Sequence, residues 1–174
     1  ASMITLFGTS QVSANAVAGN IDRLGIIIGQ AMGLAMVTVV GQCIGARDTK
    51  QATYYTKKLL GWTYLAQGLS NVLILVFMDQ LVGFYDALSG QTRELAMQLS
   101  TIHASLGILF WPVSFVLPNA LRAANDVKFT MWVGIFSMLA CRIIGSWVLC
   151  VHMGMGAMGV WIAMILDWVC RTAF

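Results

Sequence analysis

What most constrains this chain is where its charges are missing. Residues 24–46, 59–78 and 95–121 contain no Asp, Glu, Lys or Arg, and 129–166 is broken only by Arg142. A helix crossing a hydrocarbon core roughly 30 Å thick needs about 20 mostly apolar residues, so each run is long enough to span. The turn-like VHMGMG at 151–156 divides the last run in two, which gives five spans. Barrel strands would alternate polar and apolar residues over about ten positions. These runs do not, and helices are the other way to satisfy every backbone group in lipid. Composition agrees, with 59% hydrophobic and 10% charged residues against about 25% charged in a soluble domain.

The expected fold is all-α, a polytopic membrane helix bundle forming a single lobe over 1–174. Its spans are expected at about 12–46, 52–78, 93–121, 127–151 and 155–174. Residues 1–8, ASMITLFG, are apolar but too few to cross, and read as the tail of an earlier, truncated helix. No basic n-region or small-residue cleavage site precedes them, so they do not read as a signal peptide. The chain reads as an interior piece of a longer protein.

Lys and Arg in short connections are retained on the cytoplasmic side. Arg47, Lys50, Lys57 and Lys58, then Arg122 and Lys128, and finally Arg171 fall at alternate ends of the spans; the intervening connection 79–94 has Arg93 against Asp79, Asp86 and Glu94. The implied topology is a multi-pass protein of the cell membrane with a cytoplasmic C-terminus. Two of the connections share a pattern, ARDTK at 46–50 and ANDVK at 124–128. Asp48 and Asp126 each stand where the next helix should begin, placed to accept hydrogen bonds from unpaired N–H groups. The recurrence suggests related helix pairs. In the first span Gly25, Gly29 and Gly33 form one narrow stripe, the spacing of a close helix crossing.

Ionisable groups at depth are costly and usually face an interior. Asp22, beside Arg23, reads either as an interfacial pair or as a contact for a cation or substrate. His103 has no acid on its own helix; it reads as a neutral imidazole bonded to a neighbouring helix, or as a protonation switch. Asp167 can pair with Arg171 one turn on, or relay a proton. Arg142 can reach a carboxylate or snorkel outward. Pro112 and Pro118 should bend the third span, leaving Ser114 and Asn119 beside freed carbonyls. Cys43, Cys141, Cys150 and Cys170 show neither metal-ligand nor disulfide spacing, no cofactor motif is present, and a net charge of +3 suggests no nucleic-acid partner.

The sequences VVGQCIGARD (39–48), ALRAANDVKF (120–129) and GAMGVWIAM (156–164), in that order, resemble the multidrug and toxic compound extrusion (MATE) transporters. The resemblance implies one lobe, more like the C-terminal one, of a two-lobe, twelve-helix secondary transporter, with about five complete helices and the tail of another. It implies export of small amphipathic, often cationic compounds against sodium or proton entry, with membrane lipid and the N-terminal lobe of the same protein as partners. Gly41, Gln42, Gly45, Asp48, Arg122, Asn125, Asp126 and Lys128 match its cytoplasmic hinge motifs. Asp22, His103, Asn119 and Asp167 are the substrate- or cation-binding candidates. Members that couple through this lobe carry acids on its first and fourth helices; 95–121 has none, so either the coupling site is in the absent lobe, as expected, or Asp22 and His103 substitute for those acids. Two alternatives remain. A lipid-linked saccharide flippase should show more interior cations than Arg23 and Arg142, and an intramembrane hydrolase should join His103 to a serine such as Ser105 or Ser114.

Overall fold

The computed structural model describes residues 4–85 and 88–174; Asp86, counted above among the acids of its connection, lies outside them. Five long apolar helices are able to cross a membrane: α1 (Thr9–Gly45), α2 (Thr49–Val76), α4 (Gly90–Ala123), α5 (Val127–His152) and α6 (Gly156–Ala173). A short helix α3 (Met78–Gly83) follows α2. Before α1, Ile4–Phe7 form one 3-10 turn, set off by Gly8 at φ 93.

Two of the helices, α2 and α5, bury mostly polar side chains and turn large apolar ones outward, the reverse of a water-soluble bundle. On α5 the buried side chains are Thr130, Ser137, Ser146 and Cys150, whereas Trp132, Phe136, Ile144 and Trp147 are each more than half exposed. On α2, Thr63, Gln67 and Asn71 are buried while Leu65, Leu69 and Val76 face out. In water such a surface would be a large uncovered apolar patch. In lipid it is the ground state, because hydrocarbon costs nothing to meet hydrocarbon and the polar groups must find partners within.

The two charged turns are the same structure. In the first, Ala46, Arg47 and Asp48 N–H donate to the carbonyls of Gln42, Ile44 and Cys43; in the second, Ala124, Asn125 and Asp126 donate to Ala120, Arg122 and Leu121. This is the Schellman ending, and it needs one left-handed residue. Arg47 at φ 58 and Asn125 at φ 69 supply it. The next residue immediately starts the following helix: Asp48 accepts from Gln51 N–H at 2.9 Å and Asp126 from Phe129 N–H at 3.4 Å. One aspartate thus ends one helix and caps the next, so the chain reverses within three residues. Met36, Val40, Ala52, Val116 and Ala120 pack into one cluster beside both turns, which sets the turns at the same end of the lobe.

At the opposite end of α5 the chain turns through Gly154 (φ 67) and Gly156 (φ 58). The side chain of Gln11, on α1, accepts from Ala157 N–H at 2.9 Å, satisfying a donor that the first turn of α6 leaves open. Near Pro112, α4 departs from α-helical spacing over Pro112–Val116, where Leu117 N–H reaches back five residues to Pro112 O. Proline lacks an N–H and clashes with the preceding turn, and the wider π turn absorbs both. Tyr64 Oη donates to Leu109 O at 2.9 Å, and Ser114 Oγ lies 2.8 Å from both Phe110 O and Trp168 O. The bend is thereby pinned to α2 and α6.

Two outcomes follow for stability of the detergent-solubilised full-length protein. A Cβ on Gly29 overlaps Trp111 and Gln67, whereas one on Gly41 meets nothing within 4 Å. Gly29→Ala should therefore lower the thermal unfolding midpoint, at a cost of about 1–3 kcal/mol, and Gly41→Ala should leave it unchanged or raise it; equal midpoints would contradict the close crossing. At Asn125, a β-branched residue is disfavoured at positive φ by about 1–2 kcal/mol, so Asn125→Val should destabilise while Asn125→Gly should not.

Candidate functional site

The glycine stripe of α1 does more than bring two backbones together. Each glycine faces a carboxamide: Gly25 lies against Asn71, Gly29 against Gln67 and the ring of Trp111, and Gly33 against Asn119, whose Nδ2 stands 2.6 Å from where a Cβ would be. Asn71 and Gln67 are one turn apart on α2, and Gly107 and Trp111 are one turn apart on α4, so α1, α2 and α4 meet along a common seam. Asn71 also lies close to Gly107. The oxygens of Asn71 and Gln67 point at glycine backbones, the geometry of Cα–H···O contacts between helices. Both polar atoms of Gln67 are buried without a hydrogen-bond partner.

At one end of this seam Asp22 and His103 form an interhelical pair, Oδ1 to Nδ1 at 2.6 Å. His103 is 1% exposed and Asp22 19%. The imidazole is flanked by two rings of α6, Trp161 at 4.6 Å and Trp168 at 4.3 Å between centroids, and Trp161 Nε1 in turn donates to Asn15 Oδ1 at 2.8 Å. This corrects the expectation that His103 has no charged partner. Glu94, the acid on its own helix, lies more than two turns away and is bonded to Gln98; the acid that reaches His103 comes from α1, 81 residues earlier in the chain. Asp22 accordingly points inward, while its neighbour Arg23 is exposed.

The remaining sequence candidates are dispersed. Asn119 donates to Phe115 O at 3.2 Å and accepts from Arg122 at 3.0 Å, at the hinge end of α4. Arg122, Asn125, Asp126 and Lys128 are exposed on the second turn, and Gln42 and Gly45 are exposed at the end of α1, with Gly41 and Asp48 half-buried. They make the turns and do not reach the Asp22–His103 pair. Asp167 is fully buried on another face of α6, where Arg171 Nε reaches it at 3.1 Å and Ser137 Oγ donates to the same carboxylate oxygen. Arg171 also lies over the ring of Phe115 and donates to Gly134 O at 3.4 Å. Arg142 is exposed. The four cysteines form no disulfide. Ser105 is exposed with its hydroxyl on Thr101 O, and Ser114 is committed to the bend of α4, so neither serves His103.

Sequence reading missed Gln67, Asn71 and Ser137. The first two carried a signal: Thr63, Gln67 and Asn71 recur every four residues in an otherwise apolar span, so they share one face, as the glycines of α1 do.

Comparison with known proteins matches residues 1–148 to the MatE family model. The chain is 27% identical over 169 residues to the uncharacterized transporter YisQ of Bacillus subtilis (strain 168), covering 95% of this chain and 36% of that protein. It is 26% identical over 162 residues to the multidrug resistance protein NorM of Burkholderia vietnamiensis, covering 91% and 35%. Against the probable multidrug resistance protein NorM of Brucella suis biovar 1 (strain 1330) it is 25% identical over 170 residues, covering 93% and 35%. The chain thus spans about a third of the length of the curated relatives it matches. With five apolar spans, two equivalent hinges and a family match over most of its length, it belongs to the MatE family of multi-pass membrane transporters, which are not enzymes.

Proposed function

We propose that this chain is one lobe of a secondary transporter that exports small amphipathic, cationic compounds, with cation entry supplying the energy. The observation that carries the reading is the chemistry of the interior. Among the described residues, the buried polar groups include the carboxylate of Asp167, the imidazole of His103 and the carboxamides of Gln67 and Asn71, and no Lys or Arg. With Asp167 neutralised by Arg171, the carboxylate without a permanent cation beside it is the inward-facing Asp22, and such a charge attracts a cation and repels a phosphate-linked cargo. That same feature argues against a lipid-linked saccharide flippase, since Arg23 and Arg142 both lie on the surface. Two of the relatives carry multidrug resistance in their names, and the remainder of the protein would contribute the second lobe.

The orientation belongs to the same proposal. Arg47, Lys50, Arg122 and Lys128 cluster at the end of the lobe that holds the two equivalent turns, and the positive-inside rule assigns that end, with the C-terminus, to the cytoplasm.

Expression of the full-length protein in cells stripped of their own efflux pumps should reduce ethidium accumulation several-fold, and dissipating the ion gradients should abolish the difference. Unchanged accumulation, for ethidium and a panel of other lipophilic cations, would overturn the export reading. In a background lacking the four native cysteines, Ser89→Cys should react with an impermeant maleimide on intact cells. Thr49→Cys and Val127→Cys should react only after permeabilisation, and the reverse pattern would invert the topology.

A further inference from the structure

The geometry points to the Asp22–His103 pair as a proton-binding site, distinct from any acid on α4, through which one proton is sensed by three helices at once. This deepens the transport reading, because it places a coupling element inside this lobe.

The argument begins with hydrogen-bond capacity. An ionised carboxylate only accepts, so the 2.6 Å contact assigns the hydrogen to His103 Nδ1,. The other ring nitrogen, Nε2, then carries a lone pair, and it is buried with no partner among the described residues. A buried polar atom left unsatisfied is unusual and calls for an explanation. Here the atom is the basic nitrogen of the one side chain whose ordinary charge change falls between about pH 5 and 8. Adding a proton to Nε2 takes the pair from a net charge of minus one to zero: the lone pair becomes an N–H bond, Nδ1–H stays on Asp22, and no other group changes. The proton comes from water and returns to it.

The surroundings suit an imidazolium. Trp161 stands nearly perpendicular to the ring and Trp168 tilted against it, both from α6, and aromatic rings at such distances attract a cation more strongly where water is excluded. From α1 the charged groups nearby are Asp22 and the exposed Arg23. From α2 the nearest polar groups are Asn71, beside Gly107, and Tyr64, whose hydroxyl is spent on Leu109 O. On α4 itself Arg93 donates to Asp79 O, and Glu94 accepts from Gln98, more than two turns away from His103. Asp167 neighbours Trp168 in sequence but is held by Arg171 and Ser137. Among the described residues, no other ionisable group is therefore in direct contact with the imidazole. Asp22, 19% exposed against 1% for His103, is the more open member of the pair, and the buried Nε2 gains or loses its proton only when the seam opens.

The consequence is mechanical. His103 is on α4, its carboxylate on α1 and its aromatic walls on α6. The loaded pair is neutral overall and tolerates a closed, dry seam, whereas the unloaded pair holds an uncompensated negative charge that favours opening to water.

The test uses purified full-length protein and two readings. Protonated imidazole quenches adjacent indole, so intrinsic tryptophan emission should show a step between pH 5 and 8 that is lost in His103→Gln and also lost in the Trp161→Phe/Trp168→Phe double variant. The double variant keeps the pair intact and serves if His103→Gln fails to fold. A wild-type trace without the step, or a step that survives in both variants, would overturn the proposal. In vesicles, wild-type export of ethidium should change several-fold across that pH range, and in His103→Gln or Asp22→Asn less than two-fold. An unaltered pH profile in folded variants would also overturn it. Absence of ethidium export by the wild type, with the optical step present, would instead count against the transport reading and leave the proton site standing.

Discussion

The lobe depends on a substitution of space: three missing side chains on α1 are filled by three carboxamides from other helices. Gly25, Gly29 and Gly33 admit Asn71, Gln67 and Asn119, and in doing so they draw α1 against α2 and α4. In lipid no hydrophobic gain favours one apolar contact over another, so association rests on close packing and on polar groups finding partners. Here both terms act at the same positions. The glycines allow van der Waals contact between backbones, and the oxygens of Asn71 and Gln67 meet glycine Cα–H groups that no larger residue would expose,. A methyl group at the middle glycine removes both.

From that seam the rest of the architecture follows. Holding α1 beside α4 brings the two hinges to one end, where the same six hydrogen-bond positions recur 78 residues apart. The register also brings Asp22 level with His103 and lets Trp168, packed near Gly107, reach the imidazole from α6. The bend of α4 belongs to the same system, because Ser114 in the π turn bonds to Trp168 O. A π turn tied to two other helices is a position where a helix can exchange one hydrogen-bond pattern for another at small cost.

How much of this the sequence discloses depends on the range over which each cause acts. Spans, hinges and the glycine stripe are local: charge-free length, an aspartate after a left-handed residue, and a four-residue period are all visible in one stretch of chain. The family resemblance rests on those same stretches. The partner of His103 is not local. An acid on α1 and an imidazole on α4 meet only because the seam fixes the helices in register, and nothing near either residue in sequence announces the other. Gln67 and Asn71 lie between these cases, since their shared face is periodic but its meaning appears only when it is set opposite the glycines.

The two inward carboxylates show how placement separates structure from function. Asp167 is fully buried, yet it has a guanidinium and a hydroxyl on the same oxygen. Arginine stays protonated at any physiological pH, so that pair is neutral under all working conditions and its natural role is to fasten α6 to α5. Asp22 is partly exposed and its partner is a histidine, whose charge is conditional. The net charge of the second pair therefore changes with its surroundings while that of the first does not. An ion pair that cannot change state can only hold helices together, whereas one that gains and loses a proton alters the cost of keeping them closed. By this reasoning the less deeply buried of the two acids is the one that can drive a conformational cycle.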